Sequence, residues 1–171
     1  MDDGPIPESR ILRVVSANDK QTVEVVKVAH PDLIVINGTR ILSNRLLTSA
    51  KVPGINMHAG ITPLYRGVHG GYWALVRHEP EVCGVTVHLV DPGIDTGGIL
   101  KQGIIHPTSR DAFTTYPLLQ LAVGLPLLCE AIKEIEAGTS QILANPPGLS
   151  ALWSHPTIWG YLWKWMKERV V

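Results

Sequence analysis

The order of apolar and polar positions along the chain predicts strands that alternate with helices. Residues 33–36 form a continuous apolar run, which is typical of a parallel strand buried on both faces. Residues 54–57 predict a central strand, and residues 84–90 and 98–105 predict two more that are antiparallel if a short loop joins them. This order predicts an α/β fold with a mostly parallel sheet flanked by helices.

The same pattern predicts the remaining elements. They are a strand at 11–15, a helix that carries Val23, Val26 and Val28 and ends at Pro31, and a short helix through Leu47. A further helix is predicted at 70–78, with Trp73 in the core. A long helix at 110–138 should be broken or kinked at Pro117 and Pro126 and end at Gly138, and a last helix has Pro156 in its first turn.

Three regions follow from these elements: a loose segment at 1–10, a compact domain at 11–144 and an aromatic tail at 145–171. The tail holds four of the five tryptophans. Such a tail is interpreted as a stacking platform or membrane foot, or as a helix docked on the core or on a partner chain. Docking is favoured because the positive charge of the tail is limited to Lys164, Lys167 and Arg169.

Two polar residues lie at the end of the predicted central strand. Asn56 and His58 share one face because side chains alternate along a strand, and Ile55 and Met57 take the other face. The Asn56 amide can donate a hydrogen bond, and the His58 imidazole can donate one or change its charge near neutral pH. Together they can hold an oxyanion that forms on an attacked carbonyl group.

A carboxylate follows in a loop after the predicted strand at 84–90. Asp91-Pro92-Gly93 signals a turn, and Asp95 begins a second one. A carboxylate on this loop can lie against His58 and favour its protonated form. Asn37, His58 and the 90–95 loop all follow strand ends, where parallel sheets bind their ligands.

These motifs resemble those of the folate-dependent formyltransferase family. The resemblance covers residues 14–138 of this chain. It rests on Asn56-x-His58, Pro63, the 65–67 triplet Tyr-Arg-Gly, the 88–90 triplet His-Leu-Val, and Asp95-Thr-Gly through Gln102. The family includes glycinamide ribonucleotide, methionyl-tRNA and sugar N-formyltransferases and formyltetrahydrofolate hydrolase. Its common loop is His-Pro-Ser-Leu-Leu-Pro, whereas residues 58–63 read His-Ala-Gly-Ile-Thr-Pro, which removes the serine hydroxyl.

The resemblance implies a Rossmann-like formyltransferase fold and a mechanism. A formyl group moves from the cosubstrate 10-formyltetrahydrofolate to an amine, without a metal. By motif match Asn56, protonated His58 and Asp95 are catalytic: the first two stabilise the oxyanion, while Asp95 keeps His58 charged and relays a proton through water. Asp91 is a rival to Asp95, and His88 is expected to be structural.

The resemblance also implies binding residues. The predicted folate contacts are Asn37, Gly38, Thr39, Arg40, Ile41, Val90, Asp91, Gly93 and Ile94, and the candidates for the acceptor are Arg66 and Tyr65.

Composition limits the remaining choices. The 171 residues are 45% hydrophobic and carry no net charge at pH 7, so a buried core is expected and nucleic acid is a disfavoured partner. Cys83 and Cys129 are expected to be buried free thiols, and the histidines and cysteines show no metal-ligand spacing. The acidic start and the lack of a long apolar run predict a cytoplasmic protein without membrane contact.

Family members normally begin with a strand, a glycine-rich turn and further βα units, which this sequence lacks before its matching segment. A sheet without its leading strands exposes an edge, so a homodimer or higher homo-oligomer is expected. Three functions remain open: a formyltransferase for a small amine such as an amino sugar, a hydrolase that releases formate, and a non-catalytic folate-binding protein. The tRNA-specific reaction is less favoured because no RNA-binding domain follows.

Overall fold

A computed structural model describes residues 4–49, 51–146, 148–168 and 170 of the chain. The chain divides into two compact units. The smaller unit contains Met1–Asp32 and Gly38–Val52, and the larger unit contains Leu33–Asn37 and Pro53–Val171. The proposed division into segments at 1–10, 11–144 and 145–171 stays a prediction.

The smaller unit contains helix α1 (Lys20–Ala29) and helix α2 (Asn44–Leu47). Asn18 joins its two segments, since its side chain accepts a hydrogen bond from the Ser43 amide at 2.7 Å and donates one to the Ile41 carbonyl at 3.0 Å. Residues 11–15 form no strand, which makes that prediction wrong. Their apolar side chains are exposed, and a short apolar run becomes a strand only where a neighbouring strand accepts its hydrogen bonds.

The larger unit is built on a four-stranded sheet. Its strands are β1 (Ile34–Ile36), β2 (Gly54–His58), β4 (Gly84–Leu89) and β5 (Ile99–Ile104), in the order β1-β2-β4-β5. The predicted α/β class is confirmed. Within this four-stranded sheet β1 and β2 pair in parallel, whereas β2–β4 and β4–β5 are antiparallel. The short connection from β4 to β5 leaves no room for the crossover that a parallel pair requires.

Helix α4 (Tyr116–Glu136) packs on this sheet. Gly124 allows the close approach, because a Cβ there would lie 2.6 Å from the Met57 sulfur. The expected break at Pro126 does not occur, and the helix continues through it, while Pro117 lies in the first turn. Gly138 follows the helix with φ 65°, the left-handed conformation that commonly ends helices.

The rest of the larger unit is formed by β3 (Arg66–Gly67), α3 (Gly70–Val76), β6 (Leu152–Trp153) and α5 (Ile158–Glu168). Strands β3 and β6 pair in parallel. The expected docking of the tail holds for Trp153 and Tyr161, whose rings lie against other aromatic rings, whereas Trp159 is 81% exposed. Pro156 precedes α5 rather than lying in its first turn.

Both cysteines are free thiols, Cys83 buried and Cys129 half-buried. Within the described residues, none of the helices combines the length and apolar character that crossing a bilayer requires.

Candidate active site

The end of strand β2 carries the first two residues of the site. Ile55 and Met57 point into the core with 0% and 8% exposure, while Asn56 and His58 lie on the opposite face, as the alternation predicts. Asn56 is half-buried and His58 is buried. The strand therefore presents an amide that a ligand can reach and an imidazole shielded from water.

The loop between β4 and β5 brings in Asp95. Asp91 shapes this loop, because its Oδ1 accepts hydrogen bonds from the Gly93 amide at 3.0 Å and the Thr96 hydroxyl at 2.7 Å. Gly97 closes the loop, since a Cβ there would lie 1.7 Å from the Leu89 carbonyl oxygen. Asp95 has φ 51°, a left-handed conformation that non-glycine residues seldom adopt and that often marks a functional constraint.

Four side chains meet at this point: Asn56, His58, His88 and Asp95. The Asp95 carboxylate lies between the two rings, with Oδ2 3.4 Å from His58 Nδ1 and Oδ1 3.5 Å from His88 Nε2. The Asn56 amide nitrogen lies 3.4 Å from Asp95 Oδ1 and 3.2 Å from His88 Nε2. Contacts of this length are weak hydrogen bonds that a substrate group can replace.

Shorter hydrogen bonds to the backbone hold these side chains from outside. His58 Nε2 donates to the Tyr65 carbonyl at 2.7 Å, and His88 Nδ1 donates to the Leu89 carbonyl at 2.7 Å. The Gly67 amide donates to Asp95 Oδ2 at 2.8 Å. Because a carbonyl oxygen only accepts, Nε2 of His58 carries a proton, and Nδ1 is the nitrogen left to exchange one.

Gly60 makes room for the His58 hydrogen bond. A Cβ at this position would lie 2.4 Å from the Tyr65 carbonyl oxygen and 2.8 Å from His58 Nε2. Those two atoms are the partners of that bond, so a side chain at Gly60 would occupy the space in which they meet. The glycine that replaces the family's common serine therefore contributes to the placement of the imidazole.

Burial and charge act in opposite directions at the centre of the site. Burial lowers the pKa of His58, and the nearby Asp95 carboxylate only partly offsets that shift. Burial tends to raise the pKa of Asp95, but the hydrogen bond with His88, the charge of His58 and the Gly67 amide bring it below its usual value. The protonation state of His58 stays a prediction: its two ring nitrogens face oxygen acceptors, the Tyr65 carbonyl and the Asp95 carboxylate, which favours the protonated imidazole, whereas burial disfavours it.

The structure thus brings together the three predicted residues Asn56, His58 and Asp95. It keeps Asp91 out of this cluster, because the Asp91 carboxylate accepts its hydrogen bonds from Gly93 and Thr96 in its own loop. His88 was expected to be structural, yet it contacts two of the three predicted residues. The alternation along β4 indicates that Thr86 and His88 share one face of the strand. Only the pairing register of β2 with β4 shows that His88 lies opposite Asn56.

The two acceptor candidates have different surroundings. Arg66 Nη1 donates to the Ile94 carbonyl at 3.1 Å, and its buried Nε has no hydrogen-bond partner among the described residues. Tyr65 is 1% exposed and its hydroxyl donates to Glu79, so its side chain is directed into the protein, and its contact with an acceptor stays a prediction. Sequence alternation cannot show that a loop tyrosine folds inward.

The predicted folate contacts divide between the two units. In the larger unit Val90, Asp91 and Ile94 are half-buried, and Asn37 and Gly93 are exposed. The others lie exposed in the smaller unit: Gly38, Thr39, Arg40 and Ile41. For the predicted residues of both units, contact with a folate stays a prediction.

The sequence profile described as formyl transferase matches residues 6–117, which is more than half of the 171-residue chain. The chain belongs to the formyl transferase family. This confirms the resemblance that the motifs around Asn56, His58 and Asp95 indicated, although the matched residues begin earlier and end earlier than the predicted range 14–138.

Similar proteins include methionyl-tRNA formyltransferases. That of Anaeromyxobacter dehalogenans is 32% identical over 143 residues, which are 83% of this chain and 46% of the relative. That of Desulfotalea psychrophila is 33% identical over 130 residues, which are 75% of this chain and 40% of the relative. This formyl transferase chain therefore spans less than half the length of either relative.

Solved structures with a similar fold include two sugar-modifying enzymes. The formyltransferase PseJ from Anoxybacillus kamchatkensis, in complex with UDP-4,6-dideoxy-4-formamido-L-AltNAc and tetrahydrofolate, is 26% identical with a TM-score of 0.64 over 77% of this chain and 69% of PseJ. A sugar N-formyltransferase from Shewanella is 23% identical, with a TM-score of 0.64 over 81% of this chain and 55% of that protein. These similarities confirm the Rossmann-like fold.

Proposed function

We propose that the protein transfers a formyl group from 10-formyltetrahydrofolate to the amine of a small acceptor. The observation that carries this proposal is the convergence of Asn56, His58 and Asp95 in a chain that belongs to the formyl transferase family. The similar PseJ structure holds tetrahydrofolate and a formamido sugar, which favours a folate cosubstrate and an amino-sugar acceptor.

The residues around the cluster fit a folate. The Asn56 amide is half-buried at a strand end, and Val90 and Ile94 are half-buried apolar residues of the same unit. Apolar side chains suit a flat ring, and donors at the strand end suit a carbonyl group. 10-Formyltetrahydrofolate supplies that carbonyl as its formyl group. The residues that hold it in this proposal are Val90, Asp91, Gly93 and Ile94, and the other predicted contacts remain part of the proposal.

Asn56 stabilises negative charge on the attacked carbonyl oxygen. Its amide nitrogen makes two long contacts, to Asp95 at 3.4 Å and to His88 at 3.2 Å. A carbonyl oxygen that gains negative charge accepts a stronger hydrogen bond than either contact supplies. A donor of this kind typically contributes about 3 kcal/mol to lowering the barrier.

His58, with Asp95 beside it, carries a proton from the attacking amine to the leaving nitrogen. In this proposal His58 exchanges its proton at Nδ1, because Nε2 donates to the Tyr65 carbonyl. When the amine nitrogen bonds to the formyl carbon, Nδ1 accepts one proton from that amine, and Asp95 Oδ2 at 3.4 Å stabilises the imidazolium. The bond from the formyl carbon to the leaving nitrogen then breaks as His58 returns the proton to that nitrogen.

The acceptor is proposed to be a small amine rather than a tRNA. The formamido sugar in the similar PseJ structure supports this choice, and Arg66, whose Nη1 donates to the Ile94 carbonyl, is the candidate contact with the acceptor. An anionic group of a nucleotide-linked sugar would satisfy this guanidinium. The methionyl-tRNA formyltransferases among the similar proteins make methionyl-tRNA the second acceptor to test.

The first experiment measures folate binding and turnover separately. Calorimetric titration with folinic acid, a stable analogue, is expected to show binding to wild-type protein and to the His58→Asn variant alike, since His58 is only 6% exposed. Turnover of 10-formyltetrahydrofolate with a UDP-linked 4-amino sugar is then expected for wild-type protein and not for the variant. Methionyl-tRNA and a reaction without acceptor are run in parallel.

Each other outcome contradicts the proposal in its own way. Formate released at the same rate without an acceptor identifies a hydrolase, and folate binding without turnover of any acceptor identifies a non-catalytic binding protein. Transfer to methionyl-tRNA alone overturns the small acceptor. Absence of folinic acid binding to protein that is folded by circular dichroism overturns the folate site itself.

We also propose that two copies of the chain associate in the cytoplasm. Strand β1 has one partner strand in the described sheet, and Val35 on it is 45% exposed. Exposed edges pair readily with another chain. Sedimentation velocity at micromolar concentration is expected to show a dimer or higher oligomer, and Val35→Lys is expected to shift it toward monomer. Wild-type protein that sediments as a monomer would contradict this proposal.

A further inference from the structure

The segment at residues 150–156, here called the strap, is bound along the loop that follows His58. Its backbone makes three hydrogen bonds to that loop: Ala151 N to Pro63 O at 3.2 Å, Arg66 N to Ala151 O at 3.0 Å and Val68 N to Trp153 O at 3.1 Å. These bonds form the parallel pair of strands β3 and β6. The strap thus fixes residues 63–68 from the side of the C-terminal tail.

Trp153 is the main side-chain contact of the strap. Its ring stacks with the Tyr65 ring at 5.6 Å between centroids and with the Trp73 ring at 5.0 Å. Its Nε1 donates to the Leu64 carbonyl at 3.1 Å, and the Arg77 guanidinium lies 5.8 Å from the ring centre. One indole therefore holds both the backbone and a side chain of the loop.

A second set of contacts holds the other end of the strap. Trp73 Nε1 donates to the Ser154 carbonyl at 3.0 Å, and His69 Nε2 lies 2.9 Å from His155 Nδ1. The strap is consequently attached at both ends of strand β6, and its path along the loop is defined over its full length.

The loop under the strap supplies two of the short bonds that hold the active site. The Tyr65 carbonyl accepts from His58 Nε2, and the Gly67 amide donates to Asp95 Oδ2. Gly67 has φ 94°, and a Cβ there would lie 2.3 Å from the Trp153 carbonyl oxygen, so strap and loop approach as closely as a glycine permits. A shift of the strap must move the partners of both His58 and Asp95.

We propose that the strap is a positioning element of the active site and that Trp153 is its positioning residue. The strap lies beyond residue 117, where the match to the family profile ends, so family membership alone does not assign it a role. By fixing the residues on both sides of the Tyr65 carbonyl it keeps a proton on His58 Nε2, and by fixing those on both sides of the Gly67 amide it keeps Asp95 beside Nδ1. The kinetic part of this inference rests on the proposed formyl transfer, whereas the effect on His58 does not.

The test compares Trp153→Ala and Trp153→Phe with Trp159→Ala, a matched control because Trp159 is 81% exposed in the same tail. Nitrogen-15 NMR of the imidazoles in the unliganded protein reports the His58 tautomer. Wild type and Trp159→Ala are expected to show the form protonated on Nε2, and Trp153→Ala a mixture of tautomers. Trp153→Phe keeps an aromatic ring and loses the bond to the Leu64 carbonyl, so an intermediate mixture is expected.

Kinetics supply the second measurement. Trp153→Ala is expected to lower kcat by about 10- to 100-fold, because a small misplacement of catalytic groups has an effect of this size. KM for the folate should change less than about threefold, and Trp159→Ala should stay within about twofold of wild type in both. A purely structural role would lower the fraction of folded protein without altering the His58 tautomer or the kcat of the molecules that fold.

The two measurements distinguish failure of the strap proposal from failure of the proposed function. A wild-type tautomer of His58 in folded Trp153→Ala and Trp153→Phe overturns the strap as a positioning element. Lack of turnover by wild-type protein overturns the proposed function, while the tautomer shift in the Trp153 variants would still support the strap. Folding of each variant is checked by near-ultraviolet circular dichroism, and if Trp153→Ala does not fold, Trp153→Phe decides the outcome.

Discussion

Replacement of His58 by Asn is expected to lower kcat for formyl transfer by about 10³-fold, within the usual range for loss of a general acid–base group. The amide of Asn fills part of the imidazole volume but cannot take up the proton that the attacking amine loses. Folinic acid affinity should change little, because the apolar surface at Val90 and Ile94 is untouched. Single-turnover kinetics together with calorimetry measure the two effects separately.

The pH dependence of the wild-type reaction follows from the same residue. Since burial lowers the pKa of His58, the neutral, proton-accepting form persists at neutral pH and is lost only when the pH falls through that lowered value. Activity should therefore decline on the acid side below the usual range of a histidine, and the decline should vanish in the His58 variant.

The control is His106→Asn, which changes an exposed histidine in the same unit and should leave kcat unchanged. Near-normal kcat in His58→Asn would exclude His58 as the proton acceptor. An acid limb that persists in His58→Asn would assign the titration to another group of the cluster, and the proposed role of His58 would then be wrong.

Replacement of Asp95 by Asn is expected to lower kcat by about 10²- to 10³-fold, similar to the loss of one electrostatic contact in other active sites. The substitution keeps the shape of the side chain and removes the charge that lies 3.4 Å from His58 Nδ1. Without that charge the imidazolium is no longer stabilised in a buried site, so the pKa of His58 should fall further. NMR titration of the His58 ring measures this shift directly.

Asp91→Asn is the matched control, in the same loop. Its Oδ1 accepts bonds from Gly93 and Thr96, and the carbonyl oxygen of an Asn can accept the same bonds, so the loop should keep its shape. Because Asp91 is a proposed folate contact, its substitution can raise KM for the folate, whereas kcat is expected to stay within about threefold of wild type. Full activity in Asp95→Asn, or a larger loss in Asp91→Asn than in Asp95→Asn, would transfer the proposed role to Asp91.

Local patterns predicted much of the fold. The apolar run at residues 34–36, the helix before His30 and the alternation along β2 all depend on neighbours within a few residues, and each is found in the structure. The strand at 11–15 was wrong because a strand depends on a distant partner. Of the break or kink predicted at Pro126, the break does not occur, because packing of α4 on the sheet outweighs one missing backbone hydrogen bond.

The sequence by itself determined which polar groups the site contains, because the period of two along β2 puts Asn56 and His58 on one face and the turns of the 90–95 loop are encoded by adjacent residues. Tertiary structure decided the rest. The pairing register of β2 with β4 places His88 opposite Asn56, and the fold buries Tyr65. Burial lowers the pKa of His58, and Trp153 of the strap binds the loop at the Leu64 carbonyl. These features depend on contacts between residues far apart in the chain, and no local pattern records which distant residues will meet.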